Sequence, residues 1–140
     1  MTFAKGQCFC GAVQFEVELP VKWVAHCHCS MCRRYHGAAF VTWFGVDADH
    51  YQLNDEQVVW YCSSAQAQRG RCRQCGSPLF FRSQRWPGEL HIVLAAMREP
   101  IDQEPQLHVY YADRVDWVHL QPALPCYRTV PADDSEPPAD

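Results

Sequence analysis

The sequence predicts a mainly β domain, on three observations. Val13, Phe15, Val17 and Leu19 alternate with Gln14, Glu16 and Glu18, the period of two that marks a half-buried strand. Short apolar, β-favouring runs recur between breakers such as Pro20, Ser63-Ser64 and Trp86-Pro87-Gly88. Cysteines come in close groups that could tie such strands together through a metal ion.

In chain order, Cys8-Phe9-Cys10-Gly11 precedes the alternating strand, which Pro20 ends. Val21 to His28 reads as a second strand leading into Cys27-His28-Cys29-Ser30-Met31-Cys32. Arg33 to Gly37 reads as a turn or a single helical turn, and Ala38 to Phe44 as a buried strand. Asp47 to Glu56 is polar and loop-like, with one short helical turn expected at Asp47-Ala48-Asp49. Val58 to Cys62 is strand-like, and Gln68 to Cys72 leads into Cys72-Arg73-Gln74-Cys75-Gly76. Leu79 to Arg82 and Leu90 to Leu94 read as strands on either side of the Trp86-Pro87-Gly88 turn, and Leu107 to Tyr111 as one more. Residues 1–128 are expected to form one zinc-stapled domain. Residues 129–140, proline-rich and acidic, are expected to be a disordered tail.

With 140 residues, 48% hydrophobic, the chain is long enough to bury a core. No apolar run is long enough to span a bilayer, and Met1 to Gly6 lacks the apolar segment of a signal peptide. A cytoplasmic protein is expected. In that reducing compartment nine cysteines, an odd and clustered set, point to metal rather than to disulfides. The formal net charge of −4 argues against nucleic acid as a partner.

Three thiols at C-x-C-x-x-C spacing carry the sharpest signal. In an extended backbone Cys27 and Cys29 point one way and His26 and His28 the other, and a turn after Cys29 brings Cys32 to meet the first two. Three thiolates on one zinc leave a coordination position for water or substrate. Cys72-x-x-Cys75-Gly76 has the form of a zinc knuckle, and Cys8-x-Cys10-Gly11 supplies a second pair of thiolates that would complete a four-cysteine shell. Spacing alone leaves another pairing open. Cys29-x-x-Cys32 could join Cys72-x-x-Cys75 as one zinc ribbon, with Cys8, Cys10 and Cys27 elsewhere. Cys62 and Cys126 stand alone and read as buried reduced cysteines. His26, His28 and His36 read as polar or supporting residues rather than ligands, and Trp43, Trp60, Trp86 and Trp117 as packing.

Taken with their flanking residues, these groups resemble a known family. Cys8-x-Cys10-Gly11, Cys27-His28-Cys29-x-x-Cys32-Arg33-Arg34 with Gly37-Ala38, and Arg69-Gly70-x-Cys72-x-x-Cys75-Gly76-Ser77-Pro78-Leu79 are similar to the glutathione-dependent formaldehyde-activating (GFA) family, or CENP-V/GFA domain. The likeness runs from about Gly6 to Tyr127 and includes His108 to Trp117. It implies an Mss4-like fold of several coiled antiparallel sheets. It implies a structural zinc at Cys8, Cys10, Cys72 and Cys75, and a catalytic zinc at Cys27, Cys29 and Cys32. One departure stands at Arg98, where family members commonly carry aspartate.

The activity so implied is that of a carbon–sulfur lyase acting on a thiol adduct such as S-hydroxymethylglutathione, made from formaldehyde and glutathione. Its partner would be a small thiol, with glutathione the first candidate. Arg33 and Arg34 could hold a substrate carboxylate, or simply neutralise the thiolates. The rival expectation is a non-catalytic, zinc-stabilised protein-binding module.

Overall fold

Alternation of buried and exposed side chains sets the strands in the computed structural model, which describes residues 2–121 and 123–131. From residue 132 onward the expected tail lies outside the described residues. In chain order the elements are β1 (Phe3–Gln7), β2 (Gln14–Glu18), β3 (Trp23–Cys27), α1 (Ser30–His36), β4 (Val41–Asp47), β5 (Tyr51–Leu53), β6 (Val58–Ser64), β7 (Ala67–Cys72), β8 (Pro78–Ser83), β9 (Glu89–Val93) and β10 (Leu107–Val109). The expected fold class, mainly β, is what these elements form. They pack as two compact units, Met1–Trp23 with Phe44–Glu104, and Val24–Trp43 with Pro105–Asp140, within the described limits.

The first unit contains a three-stranded sheet in the order β1-β2-β5. Ala4 and Gly6 of β1 and Phe15 and Val17 of β2 are buried, while their neighbours are exposed or partly exposed. Antiparallel pairing sets Lys5 against Glu16 and Gly6 against Phe15. Neither β1 nor β5 was expected from sequence. Phe3-Ala4-Lys5-Gly6-Gln7 and Tyr51-Gln52-Leu53 carry too few apolar residues to stand out, and only pairing with β2 makes them strands.

The same unit holds the run β9-β8-β7-β6, with Phe44 to Asp47 of β4 beside β9. β6, β7, β8 and β9 pair antiparallel in succession. The tip between β8 and β9 is the expected turn, with Gly88 at φ 75°, where an L side chain would be strained. Phe44, Leu79, Phe80 and Ile92 fill the core, and Phe15 meets Phe80 edge-on with ring centroids 5.3 Å apart. Burying rings of this size contributes about 2–3 kcal/mol each, and the edge contact adds about 1 kcal/mol. The Glu89 carboxylate accepts hydrogen bonds from Lys22 Nζ at 3.0 Å, Trp23 Nε1 at 2.7 Å and His91 Nε2 at 2.9 Å.

The second unit is built on β3. β10 runs parallel to it, setting His108 beside His26 and Val109 beside Cys27. Strand β3 then stops and the chain turns into α1. The helix spans seven residues and starts at Ser30, three positions before the expected turn. It ends where Gly37 takes a left-handed φ of 62° and its N–H bonds the Arg33 carbonyl. Val24, Cys27, His28, Cys32, Trp43 and Tyr111 are buried.

Candidate metal centre

Two tight turns of the first unit carry four thiols. At the end of β1, the Cys8 N–H bonds the Val13 carbonyl at 3.0 Å, and Gly11, at φ 84°, closes the turn onto the Cys8 carbonyl at 3.2 Å. The Val13 and Ala12 amides point at the sulfurs of Cys8 (3.3 Å) and Cys10 (3.4 Å). At the end of β7 the pattern repeats. Gly76, at φ 79°, bonds the Cys72 carbonyl at 3.0 Å, and the Gln74 and Cys75 amides point at the Cys72 sulfur at 3.3 and 3.4 Å. Ser77 joins the two turns: its hydroxyl accepts from the Phe9 N–H at 3.1 Å and lies 3.1 Å from Cys75 Sγ.

The four sulfurs all lie within 4.8 Å of one another. Cys8 and Cys10 are 3.6 Å apart, and Cys10 and Cys72 3.7 Å. A tetrahedral zinc with Zn–S bonds of about 2.3 Å has sulfurs about 3.8 Å apart, so this donor set fits one zinc ion. The ribbon pairing left open by the spacing is thereby overturned, because Cys72 and Cys75 meet Cys8 and Cys10.

Charge in the cluster is shared unevenly. Cys10 is pushed up to about 11: the Ala12 amide favours its thiolate, but burial and the Cys8, Cys75 and Cys72 thiols outweigh that bond. Cys75 is drawn down to about 5, because the Ser77 hydroxyl and amide overcome the opposing effect of burial. A divalent cation would let all four ionise.

The second unit gathers three further thiols. Cys27 ends β3, Cys29 immediately precedes α1, and Cys32 sits in its first turn. Cys27 and Cys32 are buried, with their sulfurs 3.7 Å apart. Hydrogen bonds from the Cys27 and Cys32 thiols, aided by the Cys32 and Met31 amides, draw Cys29 down to about 2 against its burial. Cys27 is pushed far up by Cys29, Cys32 and burial. These bonds favour the thiolate at Cys29. Among the described residues, Cys8, Cys10, Cys72 and Cys75 are the one group of three or more potential ligands whose donor atoms all lie within 4.8 Å of one another; Cys27, Cys29 and Cys32 do not form such a group.

Behind this stretch lies a histidine cluster. His28 is 1% exposed, and its Nε2 is 2.8 Å from His108 Nδ1. His26 Nδ1 is 2.7 Å from Thr42 Oγ1, and the His26 and His108 rings lie 4.9 Å apart. Burial first, then His108, His26, Arg114 and Arg33, bring His28 down to about 4, so its ring is neutral near pH 7. This pairing assigns His28 to packing and orientation. Sequence reasoning did not single out His108 or Tyr111 as its neighbours; their only signal was the family-like stretch from His108 to Trp117. His36 packs edge-on against Trp43. Cys126 is buried as expected, but Cys62 is exposed: it shares a face of β6 with buried Val58, and both faces of the strand are open at Tyr61 and Cys62.

Comparison with known proteins fits this arrangement. The profile of the family described as "Glutathione-dependent formaldehyde-activating enzyme" matches residues 3–113. The chain belongs to the GFA family. A protein of Halomonas elongata, named "Putative glutathione-dependent formaldehyde-activating enzyme", is 27% identical over 128 residues, covering 84% of this chain and 80% of its own length. An uncharacterised lyase of Schizosaccharomyces pombe is 30% identical over 77 residues, 55% of this chain and 56% of its own. A crystal structure of a Rhodobacter sphaeroides protein superposes with a TM-score of 0.57 at 28% identity, covering 67% of this chain and 87% of that one. Within this GFA member the first unit's four cysteines could hold one metal ion. Among the described residues no helix is long and apolar enough to cross a membrane.

Proposed function

We propose that this GFA-family chain is a cytoplasmic, zinc-dependent carbon–sulfur lyase acting on a thiol adduct such as S-hydroxymethylglutathione. The observation that carries this reading is the gathering of Cys27, Cys29 and Cys32 where β3 meets α1, with the thiolate favoured at Cys29. Cys8, Cys10, Cys72 and Cys75 would hold a structural zinc within the domain of residues 1–128. Cys27, Cys29 and Cys32 would hold a second zinc. The 3.7 Å between the Cys27 and Cys32 sulfurs supports that reading for this pair.

Zinc bound by three thiolates would lower the pKa of a substrate thiol, so that the nucleophile exists at neutral pH. The cysteines' own charge weakens carbonyl activation and keeps a fourth thiolate labile, which favours thiol delivery. In the synthetic direction the substrate sulfur's lone pair forms the C–S bond to the formaldehyde carbon. The C=O π pair moves to oxygen, which takes a proton from water; cleavage is the reverse. His28 is a poor proton donor, because it is neutral and already bonded to His108. Arg33 follows Cys32 on α1, and its buried Nε has no hydrogen-bond partner among the described residues. A carboxylate of the thiol substrate would satisfy that donor, with Arg34 as the second cation.

The test is zinc stoichiometry on wild type and Cys29→Ser, followed by turnover of S-hydroxymethylglutathione against a metal-free control. Two zincs falling to one, with turnover lost, is the expected result. One zinc in both proteins, and no turnover above the control with any of several thiol adducts, would overturn the reading in favour of a zinc-stabilised protein-binding module.

A further inference from the structure

Strand β6 stands at the end of its sheet and, among the described residues, pairs only with β7. An unpaired edge is a template for another chain, and natural edges are usually guarded by charge or proline. β6 reads Val58-Val59-Trp60-Tyr61-Cys62-Ser63-Ser64 and has neither; its one irregularity is a register shift between Cys62 and Ser64. A single contact gives the phase of its hydrogen bonds. The Arg73 N–H donates to the Gln57 carbonyl at 2.8 Å, in register with the Val58–Cys72 pair. Bonded and unbonded pairs alternate along an antiparallel ladder, so Val59 and Tyr61 bond β7 while the main chain of Trp60 and Cys62 faces outward. Val58 shares that phase, but its N–H turns back to the Asp55 carbonyl.

Charge is segregated around this edge. Residues 58–88 hold five arginines and no lysine, aspartate or glutamate, in a chain of formal net charge −4. Arg69 is buried against Phe81, Arg73 turns to the Glu56 carbonyl, and Arg85 stacks on Trp86. Arg71, opposite Val59, is partly exposed. Arg82 is exposed, with its guanidinium carbon 3.7 Å from the centre of the Trp60 ring. That stack carries a charge of β8 across β7 to the outermost strand. On the opposite face of β6, Tyr61 is 60% exposed. Asp55, just before the strand, already accepts from Trp60 Nε1 at 3.1 Å.

We propose that the outer edge of β6 docks an extended, acidic peptide segment of a partner protein, which adds to the sheet as one more strand. Main-chain hydrogen bonds to Trp60 and Cys62 hold it in register. Its carboxylates meet Arg71 on one face and Arg82 on the other, and its apolar side chains lie against Tyr61 and Trp60. A second copy of this chain is a poorer fit, because its own β6 carries no carboxylate to set against these arginines. Outward main-chain donors and acceptors favour a polypeptide over a nucleic acid. The site uses no cysteine side chain and is independent of the lyase reading.

The test is a titration of the zinc-loaded full chain with a peptide of about ten residues alternating aspartate and valine, followed by amide NMR and hydrogen exchange. Binding below about 1 mM is expected, with new protection at the Trp60 and Cys62 amides. Arg71→Gln and Arg82→Gln should each weaken it about tenfold, and so should asparagine in place of the peptide's aspartates. An N-methylated peptide, which cannot donate to the edge, should not bind; this arm leaves the protein unaltered. No protection at Trp60 and Cys62, equal binding of the asparagine or N-methylated peptide, or affinities unchanged in both arginine variants would each overturn the proposal. So would tighter binding of a single-stranded oligonucleotide than of the peptide, or self-association that protects the same amides without peptide.

Discussion

Cys10 Sγ lies 3.7 Å from Cys72 Sγ although 62 positions separate them in the chain. A metal ion joining them is held by the folded chain and not by the unfolded one, so its binding free energy adds directly to folding. Removing it with a strong chelator, or substituting Cys72→Ser, is expected to cost at least about 3 kcal/mol. Thermal unfolding of the two proteins with and without excess zinc checks this. A melting temperature insensitive to both changes would mean that the four thiols carry no structural metal.

Glu89 gives the stability of the first unit a pH dependence of known sign. Burial alone would raise its pKa, but hydrogen bonds from His91, Lys22 and Trp23 bring it from 4.5 down to about 2. The folded pKa is depressed, so the stabilisation is fully present above about 4.5 and is lost as pH falls toward about 2. Glu89→Gln should be less stable than wild type at pH 7, with the difference shrinking across that window. Equal gaps in melting temperature at pH 7 and pH 3 would contradict it.

Gly45 leaves room for Trp23. A Cβ at this position would stand 2.5 Å from Trp23 Nε1, the same N–H that bonds Glu89 at 2.7 Å. Gly45→Ala should therefore displace the indole, at a cost of about 1–3 kcal/mol, and change tryptophan fluorescence. Unchanged emission and stability would show that the neighbouring strand yields without loss.

Thiol reactivity should separate the nine cysteines into classes. Exposed Cys62 should react with a thiol reagent in the native, zinc-loaded protein, and buried Cys126 only on unfolding. The seven clustered cysteines should become reactive when zinc is removed. Rapid native labelling of Cys126, or protection of Cys62, would count against these assignments, and mass spectrometry of labelled peptides distinguishes them.

Much of this was legible beforehand where the physics is local. The alternation over Val13 to Leu19 reads directly as β2, and Trp86-Pro87-Gly88 reads as the turn between β8 and β9. The helix was harder. Cys29-Ser30-Met31-Cys32 has no apolar periodicity, and the early start of α1 depends on the chain leaving β3 beside β10. Cys62 is exposed rather than buried because both faces of β6 open to solvent there, which an isolated cysteine in the sequence does not signal.

The sequence by itself determined that thiols come in turn-forming groups, since a C-x-C or C-x-x-C followed by glycine sets its own local geometry. It also carried the family likeness. Tertiary structure decided which groups meet. Cys8 and Cys10 join Cys72 and Cys75 because β1 and β7 end at the same place, and His28 bonds His108 because β10 lies parallel to β3. The physical reason is the same each time: contacts between residues tens of positions apart depend on strand pairing, and pairing depends on the burial of whole faces rather than on any one segment.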